Sequence, residues 1–250
     1  MLSIENASKL FVIDEQTRIY GLKEISLSIQ KDDFLILIGS NGSGKSTLLN
    51  VISGHIILDS GRILLNGKEI THLSAQERSK IIVRIAQNPA TNTIAELSVV
   101  QNFRLAYLRK KNIGLRKAVT TSFYNEVKEK VAVLNMGLEK KLNQEMGKLS
   151  GGQRQALSLL MYTWHKPELL LLDEPTAALD VKSADTVMNI VQKITKEYKI
   201  PCILITHNLK DMIQYGNRLI QLHQGKIVRN VSENEKTMLS APKILSWLSD

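Results

Sequence analysis

With 250 residues, 43% of them apolar and 23% charged, the chain has the make-up of a globular protein able to bury a substantial core. Its single cysteine excludes an intrachain disulfide, and no apolar run nears the roughly 20 residues needed to span a bilayer. The first residues lack the charged start, apolar run and small-residue cleavage site of a secretion signal, and the net charge of +9 suits an anionic partner: nucleotide, nucleic acid or a membrane surface.

In chain order, residues 22–30 set apolar Ile25, Leu27 and Ile29 against Ser26 and Ser28, the alternation of a half-buried strand. Residues 34–38 are apolar throughout, as in a strand covered on both faces, and run into a glycine-rich stretch at 39–44 with a predicted helix from Lys45. Between Gln87 and Leu149 no buried-strand pattern occurs, while Phe123, Val127, Val131 and Leu134 recur at helical spacing. This stretch reads as a helical subdomain inserted into an α/β core. It holds no acidic residue between Glu96 and Glu126 but carries Arg104, Arg109, Lys110, Lys111, Arg116 and Lys117. Such a run suits either a solvated face or an anionic membrane leaflet. Further on, 169–172 and 202–205 read as buried strands, and 183–196 and 208–215 as helices. Alternation of this kind predicts a parallel sheet with crossover helices. Cys202 falls in the last of these strands and reads as a packing residue.

Three motifs carry chemistry. Gly39, Ser40, Asn41, Gly42, Ser43, Gly44, Lys45 and Ser46 satisfy the phosphate-loop pattern G-x-x-x-x-G-K-[ST], with Thr47 following. Phosphate oxygens need many donors converging in a small space, and glycines let backbone N–H groups approach that closely. The helix beginning at Lys45 aims its positive end at the same phosphates. Lys45 is expected to reach the β- and γ-phosphates and Ser46 to ligate Mg2+. Second, the apolar strand 169–172 ends in Asp173 and Glu174. Asp173 suits a role toward Mg2+, and Glu174 can orient or deprotonate an attacking water. Third, Leu149 is followed by Ser150, Gly151, Gly152 and Gln153 at a predicted helix start, a second phosphate-binding end.

A Ser-Gly-Gly alone is most often a loop. Its position between the phosphate loop and the Asp-Glu pair, however, is the order found in ATP-binding-cassette (ABC) ATPases, and the chain resembles that family from residue 2 to about 232. The resemblance implies an α/β fold: a P-loop NTPase (ABC/RecA-like) core with an N-terminal antiparallel β subdomain and an inserted α-helical subdomain. Residues 1–87 and 156–250 would form the ATP-binding core, and 88–155 the insertion with the signature motif. It further implies a homodimer closing on two ATP, with Ser150 and Gly152 of one copy covering the γ-phosphate held by the other. Gln87 matches the glutamine that contacts Mg2+ or the attacking water, His207 the switch histidine, and Asp180 the aspartate linking the two sites. Adenine is expected to stack on Phe11, with Tyr20 as the alternative. The stretch before Asp180 reads Ala-Ala-Leu where Ser-Ala-Leu is commoner. Glutamate and histidine are both present, so both sites of a homodimer are expected to be competent.

The insertion is short, a second cassette is absent, and no wide basic-aromatic surface occurs. These features favour a transporter subunit over a soluble ABC ATPase acting on nucleic acid or ribosomes. The expected partners are an integral membrane permease and a solute-binding protein, with no nucleic acid, and the expected place is the cytoplasmic face of the membrane. Residues 149–180, 215–220 and 225–228 look most like ATPases of tryptophan/tyrosine-type uptake systems. Import is therefore expected, with export as the alternative, and aromatic amino acids are the candidate cargo.

Overall fold

The computed structural model describes residues 1–14, 16–109 and 119–249. Strands β1 (Leu2–Val12) and β2 (Arg18–Ile29) form a hairpin, and β3 (Phe34–Ile38) leads to helix α1 (Lys45–Ser53). Next come β4 (Ser60–Leu65), β5 (Lys68–Glu69), α2 (Ala75–Arg78) and β6 (Ile82–Ile85). Helices α3 (Val99–Leu108), α4 (Thr121–Ala132) and α5 (Gly151–Thr163) precede β7 (Leu169–Asp173), α6 (Val181–Tyr198) and β8 (Cys202–Ile205). The chain continues through α7 (Leu209–Gln214), β9 (Arg218–His223), β10 (Lys226–Val231), α8 (Glu233–Lys236) and α9 (Ala241–Ser249).

Two compact units result. The first comprises Met1–Arg84, Glu168–Glu174 and Lys199–Asp250, and the second Ile85–Pro167 and Pro175–Tyr198. In the first, an antiparallel sheet has the order β2-β1-β4-β5, and a larger sheet the order β10-β9-β3-β8-β7-β6. Strands β3 and β8 are buried along their whole length, and β7 as far as Leu172. That is why they are apolar without alternation: layers on both faces leave no side for polar residues. In β2, by contrast, Ile25, Leu27 and Ile29 turn inward while Ser26 and Ser28 stay exposed. The core joins Leu35, Leu37, Leu48, Ile52, Leu171 and Ile203 in one cluster. Strands β3, β8 and β7 are parallel, and their register sets Leu37, Ile205 and Asp173 in one row. All three therefore release the chain at the same edge of the sheet. β9 also pairs in parallel with β3, but β10 returns antiparallel to β9, a hairpin that the apolar pattern does not announce.

Cys202 is fully buried in β8, and burial pushes its thiol pKa well above the ordinary value. Arg78 is also buried, and its guanidinium is satisfied by backbone alone. It donates to Val51 O at 2.7 Å, Ile52 O at 3.0 Å, Thr71 O at 2.7 Å and Leu73 O at 3.0 Å. Two of these carbonyls belong to the last turn of α1, where helix geometry leaves donors scarce; Val51 O also accepts from the capping Gly54 N–H at 3.2 Å.

The second unit is built from helices. Among its described residues, those from 88 to 149 contain no strand, only an isolated bridge between Ser98 and Glu145. Phe123, Val127 and Val131 line one face of α4 and pack with Val99, Phe103, Leu157 and Met161. Leu134 joins the same core from just beyond the helix end. Of the basic run, Arg104 lies over the rings of Tyr107 and Phe123 at 5.6 and 4.9 Å, and Arg109 over Tyr162 at 5.2 Å. These two arginines are packed against aromatic faces, not displayed as a solvated patch. Lys110, Lys111, Arg116 and Lys117 lie outside the described residues.

Truncating Arg78 removes a donor from four carbonyls, of which Val51 O keeps the Gly54 N–H at 3.2 Å. Arg78→Ala is expected to lower the unfolding free energy by about 2–3 kcal/mol, read from urea unfolding followed by circular dichroism.

Candidate active site

The edge where β3, β7 and β8 end carries the chemistry of the first unit. The turn after β3 depends on glycine at two points. At Gly39, φ is 148° and a Cβ would lie 2.2 Å from the carbonyl oxygen of Leu222. At Gly44, φ is 105° and a Cβ would lie 2.3 Å from Gly21 O. No side chain of an L-residue fits either place. Gly44 caps α1 without a side-chain acceptor, so the first N–H groups of that helix face the loop uncapped.

Within the loop, Lys45 is buried and its Nζ donates to Gly39 O at 2.8 Å and Ser40 O at 2.9 Å. Burial lowers its pKa, and the carboxylates of Glu174 and Asp173 act in the opposite direction. The Ser43 hydroxyl is buried without a partner. Ser40, Asn41, Gly42 and Ser46 are exposed, and Thr47 is half-buried. An uncapped helix start, an orphan hydroxyl and an ammonium resting on its own loop's carbonyls together form a cradle for phosphate oxygens.

Opposite, Asp173 ends β7 and Glu174 follows with a φ of 49°, in the left-handed region that bulky residues rarely enter. The Glu174 N–H is anchored on Ile205 O at 3.0 Å. One residue past Thr206, His207 brings Nε2 to 3.1 Å from Glu174 Oε1. Thr206 Oγ1 accepts from the Asn208 N–H at 3.1 Å and donates to Asp211 Oδ2 at 3.3 Å, which fixes the start of that loop. Thus the three strand ends predicted to carry function converge: phosphate loop, acid pair and histidine. Sequence reading missed Arg84 in β6, whose Nη2 donates to Asp173 Oδ2 at 2.7 Å and whose Nη1 donates to Asn50 Oδ1. Its signal was a lone charge within the apolar run of residues 81–86.

Phe11 is 36% exposed, and its ring edge lies against Gly21, where a Cβ would be 2.4 Å from Phe11 Cε2 and 3.1 Å from Thr47 Cγ2. Tyr20 lines a separate groove of 540 Å³ with Arg18, Lys23, Gly42 and Lys226.

The second unit holds the remaining predicted residues. Ser150 caps α5: its Oγ accepts from the Gln153 N–H at 3.3 Å, and Gln153 Oε1 accepts from the Ser150 N–H at 3.3 Å. Gly152 is buried, and a Cβ there would lie 2.6 Å from Ser183 Cβ. Gly151 is exposed next to Leu179. Asp180 Oδ1 accepts from the Ser183 N–H at 3.0 Å, and hydrogen bonding to Ser183 holds its carboxyl below the ordinary range. Gln87 is exposed in the loop after β6.

A glycine loop and lysine-headed helix after one parallel strand, with an Asp-Glu pair ending another two places along, define a P-loop nucleotide hydrolase. The ABC transporter family model matches residues 22–177. The tyrosine transport ATP-binding protein of Clostridioides difficile is 41% identical over 98% of this chain and 97% of its own length. The energy-coupling factor transporter ATP-binding protein EcfA2 of Caldanaerobacter subterraneus subsp. tengcongensis is 32% identical over 98% and 87%. Among solved structures, the dimeric post-hydrolysis ATP-binding cassette MJ0796, bound to ADP and phosphate, superposes with a TM-score of 0.79 at 25% identity, covering 93% of this chain and 99% of its own. The chain belongs to the ABC transporter family, as an ATP-binding and ATP-hydrolysing protein.

Among the described residues, no cluster of His, Cys, Asp and Glu could hold a metal ion on protein ligands alone. The exposed Ser46 hydroxyl and the Asp173 carboxylate are instead the oxygen donors that suit a hard cation sharing its shell with water and phosphate. They fit Mg2+.

Gly44→Ala forces a methyl group against Gly21 O at a positive φ. The variant is expected to lose about tenfold or more in ATP affinity by titration calorimetry while keeping its far-ultraviolet spectrum, because this strain is of order 1–3 kcal/mol.

Proposed function

We propose that this chain is the energising subunit of an ABC importer, working as a homodimer that closes on two ATP and drives a separate integral membrane permease. The observation that carries the catalytic part is the 3.1 Å contact between His207 Nε2 and Glu174 Oε1, at the sheet edge that also bears the Lys45 loop. Glu174 orients and deprotonates the attacking water, and His207 keeps that carboxylate and the γ-phosphate in register. Lys45 and the N–H groups of Gly39 to Thr47 stabilise charge spreading over the transferred phosphoryl. Ser46 and Asp173, together with Gln87, are the residues to hold Mg2+, which neutralises phosphate charge when bound. Phe11 supplies the adenine-stacking face, since its exposed ring stands beside Gly21 and Thr47.

Ser150, Gly151, Gly152 and Gln153 of one copy cover the nucleotide of the other, and Asp180 links the two sites. The dimeric cassette with ADP and phosphate supports this arrangement. Residues 88–155 form the inserted helical part. Contact with the permease falls to the second unit, where a groove of 290 Å³ is lined by Thr91, Thr93, Asn102, Arg109 and Tyr162, shortly after Gln87 in the chain. No described helix is long and apolar enough to cross a membrane. In this reading the chain sits at the cytoplasmic face, held there by that partner. Tyrosine transport by the 41% identical relative supports an aromatic amino acid as cargo, delivered by a solute-binding protein.

Glu174→Gln is expected to bind ATP, to turn over at least about a hundredfold more slowly, and to accumulate as an ATP-dependent dimer on size exclusion. Brisk turnover would remove Glu174 from the chemistry. A tagged copy purified from detergent-solubilised native membranes is expected to bring down an integral membrane protein. Recovery of only ribosomes, nucleic acid or soluble proteins would end the transport reading and leave the ATPase.

A further inference from the structure

We infer that Arg84 is a positioning residue that fixes Asp173 relative to Ser46, and so sets the geometry in which the first unit receives a divalent cation. This rests on the metal role given above to Ser46 and Asp173. In β6, Arg84 stands between buried Ile82, Val83 and Ile85. A charge in such a strand is unfavourable unless its donors are met. The two terminal nitrogens of Arg84 are met by different elements, Nη2 by Asp173 Oδ2 at 2.7 Å and Nη1 by Asn50 Oδ1, while Nε is buried without a partner, so the fork rests on these two contacts. Both partners in the ion pair are largely shielded, with side chains 22% and 19% exposed. Asn50 stands four residues after Ser46 on α1, one helical turn along the same face.

One planar fork therefore spans from the Ser46 face of α1 to the end of β7. With Oδ2 engaged by Arg84, the orientation of Asp173 is set and its other oxygen is the one turned to any further ligand. Lysine cannot replace this arrangement, because a single ammonium on a flexible stem lacks the rigid fork that reaches both acceptors. A guanidinium beside a metal ligand has two opposed effects. It orients the carboxylate, which favours cation binding, and it competes with the cation through like charge. Loss of groups that orient metal ligands commonly weakens metal affinity by about 10- to 100-fold, so orientation is the effect expected to prevail. An ion pair that served the fold alone would change stability and leave the divalent requirement where it was.

The test is ATP affinity of the full chain measured by titration calorimetry in EDTA and across a series of free Mg2+ concentrations. For Arg84→Met, affinity in EDTA is expected within about twofold of wild type, while the Mg2+ concentration giving half the effect rises about tenfold or more. Asn50→Ala, which keeps the Arg84–Asp173 pair and cuts the tie to α1, is expected to move it the same way by less, and Arg84→Lys to fall between. An unmoved or lowered Mg2+ midpoint in folded Arg84→Met overturns the inference. Should that variant fail to fold, an unmoved midpoint in Asn50→Ala overturns it equally. If wild-type affinity itself is indifferent to Mg2+, the metal role of Ser46 and Asp173 fails and takes this inference with it. A Mg2+-dependent wild type with unmoved variants sinks the inference alone.

Discussion

An ammonium group withdrawn from water must be met by oxygen, and Lys45 meets the carbonyls of Gly39 and Ser40 in the loop just before it. That arrangement needs a chain that doubles back within a few residues, which the positive φ values at Gly39, Gly42 and Gly44 provide. It also needs a rigid floor, supplied by β3 and the apolar face of α1 through Leu48, Leu49 and Ile52 in the core of the first unit. In the proposed nucleotide complex, triphosphate oxygens take over from the loop carbonyls without the lysine crossing into solvent. Of the sheet edge, the carboxylates of Glu174 and Asp173 act on this cation, opposing the effect of its burial.

Much of this was legible because the relevant elements are extreme cases of pattern. Strands Phe34–Ile38 and Cys202–Ile205 have the bounds read from their uninterrupted apolar runs, since only strands sealed on both faces look that way. The helix read at 183–196 extends over Val181–Tyr198, because its amphipathic stripe thins toward the ends before the backbone leaves the helix. Other features depended on partners far away in the chain. Nothing local in Arg218–His223 distinguishes a strand parallel to β3 from one that ends the sheet, and the antiparallel return of Lys226–Val231 follows from its pairing alone. Arg84 stood in the sequence as an oddity, whose meaning needed Asn50 and Asp173 to be brought within reach.

The residues from Ser150 to Gln153 illustrate how much local physics a motif leaves unsaid. In sequence, Ser150 and Gln153 read as part of a phosphate-binding helix start, yet in the chain by itself they satisfy each other's backbone at the start of α5. Gly152 reads as a source of a close N–H, but the closeness of Ser183 already demands glycine there. These demands are compatible. A helix start that is held rigidly by its own cap, and packed too tightly to shift, presents its remaining donors without further ordering.

The sealing of Cys202 in β8 has a practical side. As the chain's one cysteine, with its thiol shielded from solvent and its pKa raised, it is a poor target for maleimide or methanethiosulfonate reagents in the native state. A cysteine introduced anywhere on the surface would carry spin labels or fluorophores essentially alone. Distances between pairs of such introduced cysteines could thus be followed in a protein whose interior is left as evolution made it.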